Sequence, residues 1–466
     1  MRPRTSFSFT AVLSAASLLH LHIGPARAIT VTSYANDFVD PKYVLAKDFT
    51  NFTIEAQDTI VAWAEELAAQ GPWSVMNKTY APPTGNKHDY MSWAPYWWPD
   101  CSKVGNTTEL TPQEIWVTCP YVSRDGLFNP DGRTINDIGE FEDMANAILY
   151  NSLAWAINGS SVYSANVARF INTWFLAPDT AMTPNLAYGQ MQRGPNGQNG
   201  THTGILDLKC MAKVVSGILV LREGKAPEWT SDIDTALNNW TKEYISWLTS
   251  ASIALEEKAA TNNHGTFYYN QLAALQILVG DTAGAKQTLE EYFTTQYTWQ
   301  IVANGDQPLE TARTRPYHYR AYNLAAMITN AKLGAYIGYD VWSLKTSKGT
   351  TIKDALDYAI TMPAGSEAAS ELWPNVVAVG AIYGDTAGTY AKWMLDNAGN
   401  TYPADAQFLW NQPFSDSGLV AAAATSTGSN SSSSGVRQQD GALTPLGASW
   451  NVLAMAVGAA VVALFA

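Results

Sequence analysis

Residues 49–72 read FTNFTIEAQDTIVAWAEELAAQGP. Apolar side chains recur here at three- and four-residue steps, as in Ile60, Trp63, Ala64 and Leu67, which lays one stripe along a helix of 3.6 residues per turn. Gly71-Pro72 ends it, because proline has no N–H to continue the ladder. The same periodicity recurs at 141–157, 161–175, 204–221, 233–250, 268–279, 282–297, 320–334, 352–360 and 384–395, mostly separated by Gly or Pro. Alternating strand-like segments are scarce. About a dozen helices joined by turns predict an all-α domain of paired antiparallel helices, arranged as a toroid or a solenoid. No fixed-period repeat is visible, which disfavours the short-repeat solenoids.

The 466 residues are 47% hydrophobic and only 15% charged, with 17 Trp and 23 Tyr. A disordered chain has the opposite composition. The net charge is −13, and setting aside Arg2, Arg4 and Arg27 of the first 28 residues leaves 25 basic against 41 acidic residues, or −16. A surface this acidic excludes nucleic acid as an expected partner, since that affinity rests on phosphate neutralisation. An anionic substrate would have to meet a local cationic cluster.

Both ends read as processing signals. Residues 1–28 have a charged start, an apolar stretch from Phe7 to Ile23 and the small-x-small site Ala26-Arg27-Ala28, the pattern of a secretory signal. The helical domain is expected over 29–415, followed by a Ser-rich stalk over 416–445. Residues 446–466 carry no charge and are strongly apolar from Trp450 onward, the pattern of a GPI-anchor signal, with an uncleaved tail anchor as the other reading. Seven N-x-S/T sequons, at Asn51, Asn77, Asn106, Asn158, Asn199, Asn239 and Asn430, fit a secreted, cell-surface glycoprotein. In an oxidising compartment Cys101 and Cys119, which bracket a polar loop, are expected to be bridged. Cys210, in an apolar run, is expected to be a buried free thiol.

Three stretches break the helical pattern: 88–130, rich in Trp, Tyr, Pro and Gly; 183–203, rich in Gly and Asn; and 303–319. Loops with this content are where function sits. Asn262-Asn263-His264-Gly265-Thr266 sets two carboxamides beside an imidazole, which suits hydrogen bonding to an anion and proton transfer near neutral pH. The plain alternative is a helix cap, a position asparagine favours. Residues 310–320 read ETARTRPYHYR, the densest cationic cluster in the chain. Arginine holds carboxylates in bidentate fashion, and a neighbouring arginine is expected to lower a tyrosine pKa. Its plain alternative is a solvated basic face. Residues 87–100, KHDYMSWAPYWWPD, offer aromatic faces on which sugar rings stack, or a structural plug. The four histidines beyond the leader, His88, His202, His264 and His318, give little basis for a metal centre.

Taken together, His88 to Ser92, Tyr96 to Asp100, Pro120-Tyr121, Arg124-Asp125-Gly126, Asn129-Pro130, Asn185-Leu186, Tyr188, Asn262 to Thr266, Glu310, Ala312 to Arg315 and His318-Tyr319 resemble the alginate lyase family of polysaccharide lyases. The resemblance implies an (α/α) toroid and metal-free β-elimination on a 1,4-linked polyuronate, with no cofactor. Asn263, with Asn262 beside it, and Arg313 would neutralise the uronate carboxylate, with Arg315 as the competitor of Arg313. Tyr319 would protonate the leaving oxygen, with Tyr322 as its competitor. His264 would act as base where the C5 proton and the leaving group lie on opposite faces of the ring. Where they share a face, Tyr319 would serve as base and acid in turn, with His264 polarising. Tyr90, Trp97, Tyr188, Gln190 and His318 would contact substrate. The expected partner is an acidic polysaccharide, and the chain is expected to act as a monomer. Two other readings stand beside this one: a glycoside hydrolase on the same toroid, using two of Asp89, Glu140, Asp143 and Glu310, and a polysaccharide-binding protein without turnover.

Overall fold

A computed structural model describes residues 37–105, 110–399 and 401–411. The expected signal, stalk and anchor segments, with Asn106 and Asn430, lie outside these residues. Helices α1 (Pro41–Ala46) and α2 (Ile54–Gln70) open the chain, and α3 (Pro112–Thr118) sits within the aromatic segment. Then come α4 (Asp137–Asn158), α5 (Ser161–Ile171), α6 (Met211–Glu223), α7 (Ser231–Leu248), α8 (Ser252–Ala259), α9 (Asn263–Leu278) and α10 (Thr282–Thr294). Two single turns, α11 (Tyr297–Gln300) and α12 (Pro308–Thr311), precede α13 (Pro316–Tyr336), α14 (Ile352–Ala359), α15 (Trp373–Tyr383) and α16 (Thr389–Ala398).

The helices form an (α/α) toroid. An inner series packs side by side in the order α4, α6, α9, α13, α15, with α2 against α4. The central helices of this series are buried nearly all round, as a helix with neighbours on every side must be. In α9 only His264 and Gln276 escape burial, and from Met211 to Leu221 of α6 every residue is buried. The outer partners α5, α10, α14 and α16 pack on α4, α9, α13 and α15 and keep polar outward faces.

Two differences from the sequence pattern matter. First, α9 begins five residues before the expected Tyr268, so the Asn-Asn-His run belongs to its first turn. Gly265 there serves close approach, because a Cβ would collide with the Ala260 carbonyl. Second, 384–395 is not one helix. Gly384, at φ +77°, ends α15, and α16 starts only at Thr389. The sequence WPNVVAVGAIY of α15 has no polar face, hence no periodicity to read.

The aromatic segment is built from short strands that turn its side chains toward one end of the toroid. β1 (Met91–Trp93) pairs in parallel with β4 (Tyr188–Met191), and β2 (Trp97–Pro99) pairs antiparallel with β3 (Tyr121–Ser123). Cys101 and Cys119 are bridged, closing the loop between β2 and β3, while Cys210 is free and buried.

Candidate active site

A cavity of about 240 Å³ opens where the aromatic segment meets the N-terminal ends of α9 and α13. Trp93, Tyr96, Trp97 and Phe128 form an aromatic wall, and Asn263, His264, Arg313, Tyr319 and Tyr322 face it. Helix geometry sorts the cationic run of 310–320. Tyr319 and Tyr322, one turn apart on α13, both line the cavity. Arg315 turns away to Glu371, at 3.2 Å, and Arg320 to Asp306, also at 3.2 Å. His318 is fully buried against Glu371, at 2.5 Å.

Asn262 is the N-cap of α9, its side chain accepting from the His264 backbone N–H, so the capping alternative holds for this residue. Asn263 is buried. Its backbone N–H donates to Glu310 Oε1 (2.7 Å) and its Nδ2 to Glu310 Oε2 (2.6 Å). A carboxamide nitrogen carries two hydrogens, so one remains for a ligand. Burial pushes the Glu310 carboxyl above its usual range, against the hydrogen bonds from Asn263.

Arg313 donates through Nη2 to Tyr319 Oη (2.8 Å) and to Asp125 Oδ1 (2.7 Å), and its guanidinium lies 3.9 Å from the centre of the Tyr319 ring. Burial opposes the guanidinium charge, but Asp125 and the phenolic oxygens outweigh it and hold the Arg313 pKa above its usual value. Tyr319 Oη also lies 3.0 Å from Tyr96 Oη. The expectation that arginine lowers the Tyr319 pKa is corrected here: burial is the larger effect and raises it well above 10. Tyr319 is therefore a neutral O–H donor with an arginine on its lone pair. Tyr322 is similarly buried and raised, stacked on His318 and packed at a tilt against Phe267.

The floor is polar. Asp207 takes hydrogen bonds from Tyr90, Ser92 and Gln190, and Lys209 pairs with Glu142. Gln190 holds φ +42°, an unusual conformation for a side-chain-bearing residue. Its neighbour Gly189 abuts Gly204 so closely that a Cβ on either would press on the other's backbone, which brings β4 against the turn carrying Asp207. Gln190 and Trp97 line the cavity. Tyr90 does not: it is fully buried beneath the floor, donating to Asp207 at 3.0 Å. Tyr188 packs beside Met91, Trp93 and Trp116, outside the cavity wall.

Behind His264 the structure gathers residues the sequence reading did not join. Glu257 accepts from His264 Nδ1 (2.7 Å) and from His202 Nδ1 (2.6 Å). Among the described residues, His202, Glu257 and His264 are the group whose donor atoms, all within 4.8 Å of one another, have a spacing that a metal ion would fit. The Nδ1 atoms of both histidines are hydrogen-bonded to Glu257.

Residues 74–369 match the family described as Alginate lyase. The chain belongs to the alginate lyase family. An alginate lyase from Bacteroides ovatus is 26% identical in sequence and superposes over 81% of this chain and 99% of its own, with a TM-score of 0.71. Alginate lyase A1-III complexed with a tetrasaccharide is 14% identical over 78% of this chain and 92% of its own, at a TM-score of 0.47. The enzyme of that name from Sphingomonas species A1 covers 72% and 79% at 0.43. No protein of curated function matches the chain. As a polysaccharide lyase of this family, the chain adds to the residues expected from sequence Tyr96, Asp125, Lys209, Glu142 and Asp207 in the cavity wall, with Glu257 and His202 behind it. Asp125 lies in the Arg124-Asp125-Gly126 motif, so a signal for it existed. Glu257 carried none, being an ordinary member of a helix; His202 lay in the Gly- and Asn-rich stretch, but nothing in the sequence joined it to His264.

Proposed function

We propose that this lyase cleaves 1,4-linked polyuronates of the alginate type by β-elimination, using side chains alone. The observation that carries the reading is the Arg313–Tyr319 pair, 2.8 Å apart, on a cavity also lined by Asn263 and His264. The C5 proton of a uronate is a very weak acid while its carboxylate is ionised. Arg313 and the spare N–H of Asn263 would neutralise that carboxylate and stabilise the enolate-like charge as it develops. For opposite-face uronates, His264 takes the C5 proton, the C5–H electron pair forms the C4=C5 bond, and the C4–O4 bond breaks onto O4. The Tyr319 O–H then protonates O4, and the imidazolium and phenolate exchange a proton through solvent to reset the site. The raised Tyr319 supports the donor role, because the phenol stays protonated until O4 calls for it. For same-face uronates, Tyr319 would have to lose its own proton to solvent before its phenolate took the C5 proton and passed it to O4, and the burial that keeps the phenol protonated works against that route.

The carboxylates in the cavity wall argue against a hydrolase. None of Asp89, Glu140, Asp143 and Glu310 lines the cavity, and of the carboxylates that do, Asp125 is held by Arg313, Asp207 by Ser92 and Gln190, and Glu142 by Lys209 through one of its oxygens. The test is ultraviolet absorbance of the purified protein with polymannuronate, polyguluronate and polyglucuronate, each with and without chelator. A chelator-insensitive rise from unsaturated uronate on any of them is expected. New reducing ends without absorbance would replace the reading with hydrolysis.

We also infer export and anchoring at the cell surface. All five sequon asparagines among the described residues, Asn51, Asn77, Asn158, Asn199 and Asn239, are exposed, and the Cys101–Cys119 bridge suits an oxidising compartment. Release from intact cells by a phosphatidylinositol-specific phospholipase is the expected result, and persistence on the cells after that treatment would refute the anchor.

A further inference from the structure

We propose that Glu257 is a positioning residue that locks His264 in the tautomer protonated on Nδ1, and that His202 is the second donor fixing the carboxylate in place. The inference rests on reading His264 as the proton acceptor for opposite-face uronates. Glu257 comes from α8, which packs on both α9 and the turn over residues 202–208. Its side chain is 0% exposed, against 16% for His264 and 34% for His202. The two carboxylate oxygens are divided: Oε1 to His264 Nδ1 at 2.7 Å and Oε2 to His202 Nδ1 at 2.6 Å. The rings stand 6.0 Å apart.

An ionised carboxylate only accepts hydrogen bonds, so both imidazoles must donate from Nδ1. Burial works against the Glu257 charge, but the two imidazoles outweigh it and hold the carboxyl below its usual range. His202 has a second carboxylate, Glu256, 3.6 Å from its Nε2, so it has acid groups at both nitrogens. Its pKa is raised, chiefly by the hydrogen bond to Glu257. His202, with an acid group facing each ring nitrogen, is placed to carry a balancing charge. His264 needs one proton only, on Nδ1, and its Nε2 is left bare for the cavity it lines. A base that must accept a proton at Nε2 requires this tautomer.

The arrangement makes a sharp demand. An amide in place of Glu257 accepts from one imidazole and must donate to the other. Glu257→Gln therefore forces one of the two histidines into the opposite tautomer. Removing His202 as well frees the amide to turn its oxygen to His264.

The test uses the purified protein with its histidines labelled with ¹⁵N. In the wild type, His264 should show a protonated Nδ1 and a bare Nε2, and a proton on Nε2 instead would overturn the proposal without any variant. In Glu257→Gln the tautomers should mix, and kcat on polyguluronate should fall by about 100-fold, within the range for a lost general base, with KM changed less than about threefold. The Glu257→Gln/His202→Phe double variant should recover about tenfold of that kcat, which a merely structural defect would not do. Unchanged tautomers, unchanged kcat or absent recovery would each overturn the assignment. So would zinc that shifts both histidine spectra and raises turnover, since the Nδ1 atoms would then be metal ligands. The spectra need no substrate. A wild type that gives no unsaturated product therefore defeats the lyase reading while leaving the tautomer measurement intact.

Discussion

Replacing Tyr319 by phenylalanine removes one oxygen from the centre of the site. That oxygen accepts from Arg313 Nη2 at 2.8 Å and lies 3.0 Å from Tyr96 Oη. The fold should tolerate the loss. Arg313 keeps Asp125 and its stacking over the ring, so the cost to stability should be about 1–2 kcal/mol, the scale of one hydrogen bond. Catalysis should not tolerate it. A missing general acid costs about 10²–10⁴ in rate, or about 3–5 kcal/mol of barrier. Substrate binding through Arg313, Asn263 and the aromatic wall is left in place, so KM should move less than about threefold, under about 1 kcal/mol. The measurement is initial rate of unsaturated-uronate absorbance against substrate concentration, with urea unfolding as the control for folding. The wild type should also lack an alkaline limb below pH ~10, the ordinary tyrosine value, because burial keeps this phenol protonated beyond it. A folded Tyr319→Phe enzyme with kcat within tenfold of wild type would refute the donor role. If Tyr322→Phe were the inactive variant instead, the role would pass to Tyr322.

Arg313→Lys keeps the charge but not the fork that meets Tyr319 and Asp125, and should lower kcat/KM by about 10²-fold, measured on the same substrates. Arg315→Ala should leave kcat/KM within about threefold while lowering the urea midpoint, because it strips a partner from buried Glu371, a cost of about 1–3 kcal/mol. Gly265→Ala should destabilise by about 1–3 kcal/mol and lose activity, since its Cβ meets the Ala260 carbonyl behind the Asn263–His264 turn; urea unfolding and rate together check this. Asp143 is pushed up to about 6 by burial and the nearby Glu142 and Glu140. A raised carboxyl binds more protons folded than unfolded between its two pKa values, so its contribution falls as pH rises from about 4 to about 6 and stays unfavourable above. Asp143→Asn should therefore raise unfolding free energy by about 2 kcal/mol at pH 8 and by little at pH 3; equal effects at both would refute the burial argument.

Local chemistry alone settled much of this protein. The 3.6-residue stripe of residues 54–70 and its relatives requires helices whichever way they pack, and Gly71-Pro72 must end the first of them. Asn-Asn-His and the Arg-Tyr run were legible as reactive because few other positions in an acidic, histidine-poor chain concentrate such groups. Other features required the folded molecule. The choice of Arg313 over Arg315 for the cavity depends on where α13 begins, which Pro316 sets by opening the helix one residue after Arg315. Burial of His318 depends on which faces of α13 meet neighbours, of which a helix buried nearly all round gives no periodic sign, and burial of Tyr90 depends on how the segment before β1 docks over Asp207. The direction of the Tyr319 shift was misread from sequence because adjacency reveals the arginine but not the desolvation that outweighs it. Glu257 and His202 lie far apart in sequence from each other and, for His202, from the site. Only the docking of α8 against α9 and the 202–208 turn brings one carboxylate between two imidazoles, because hydrogen bonds between side chains follow distance in space and not order along the chain.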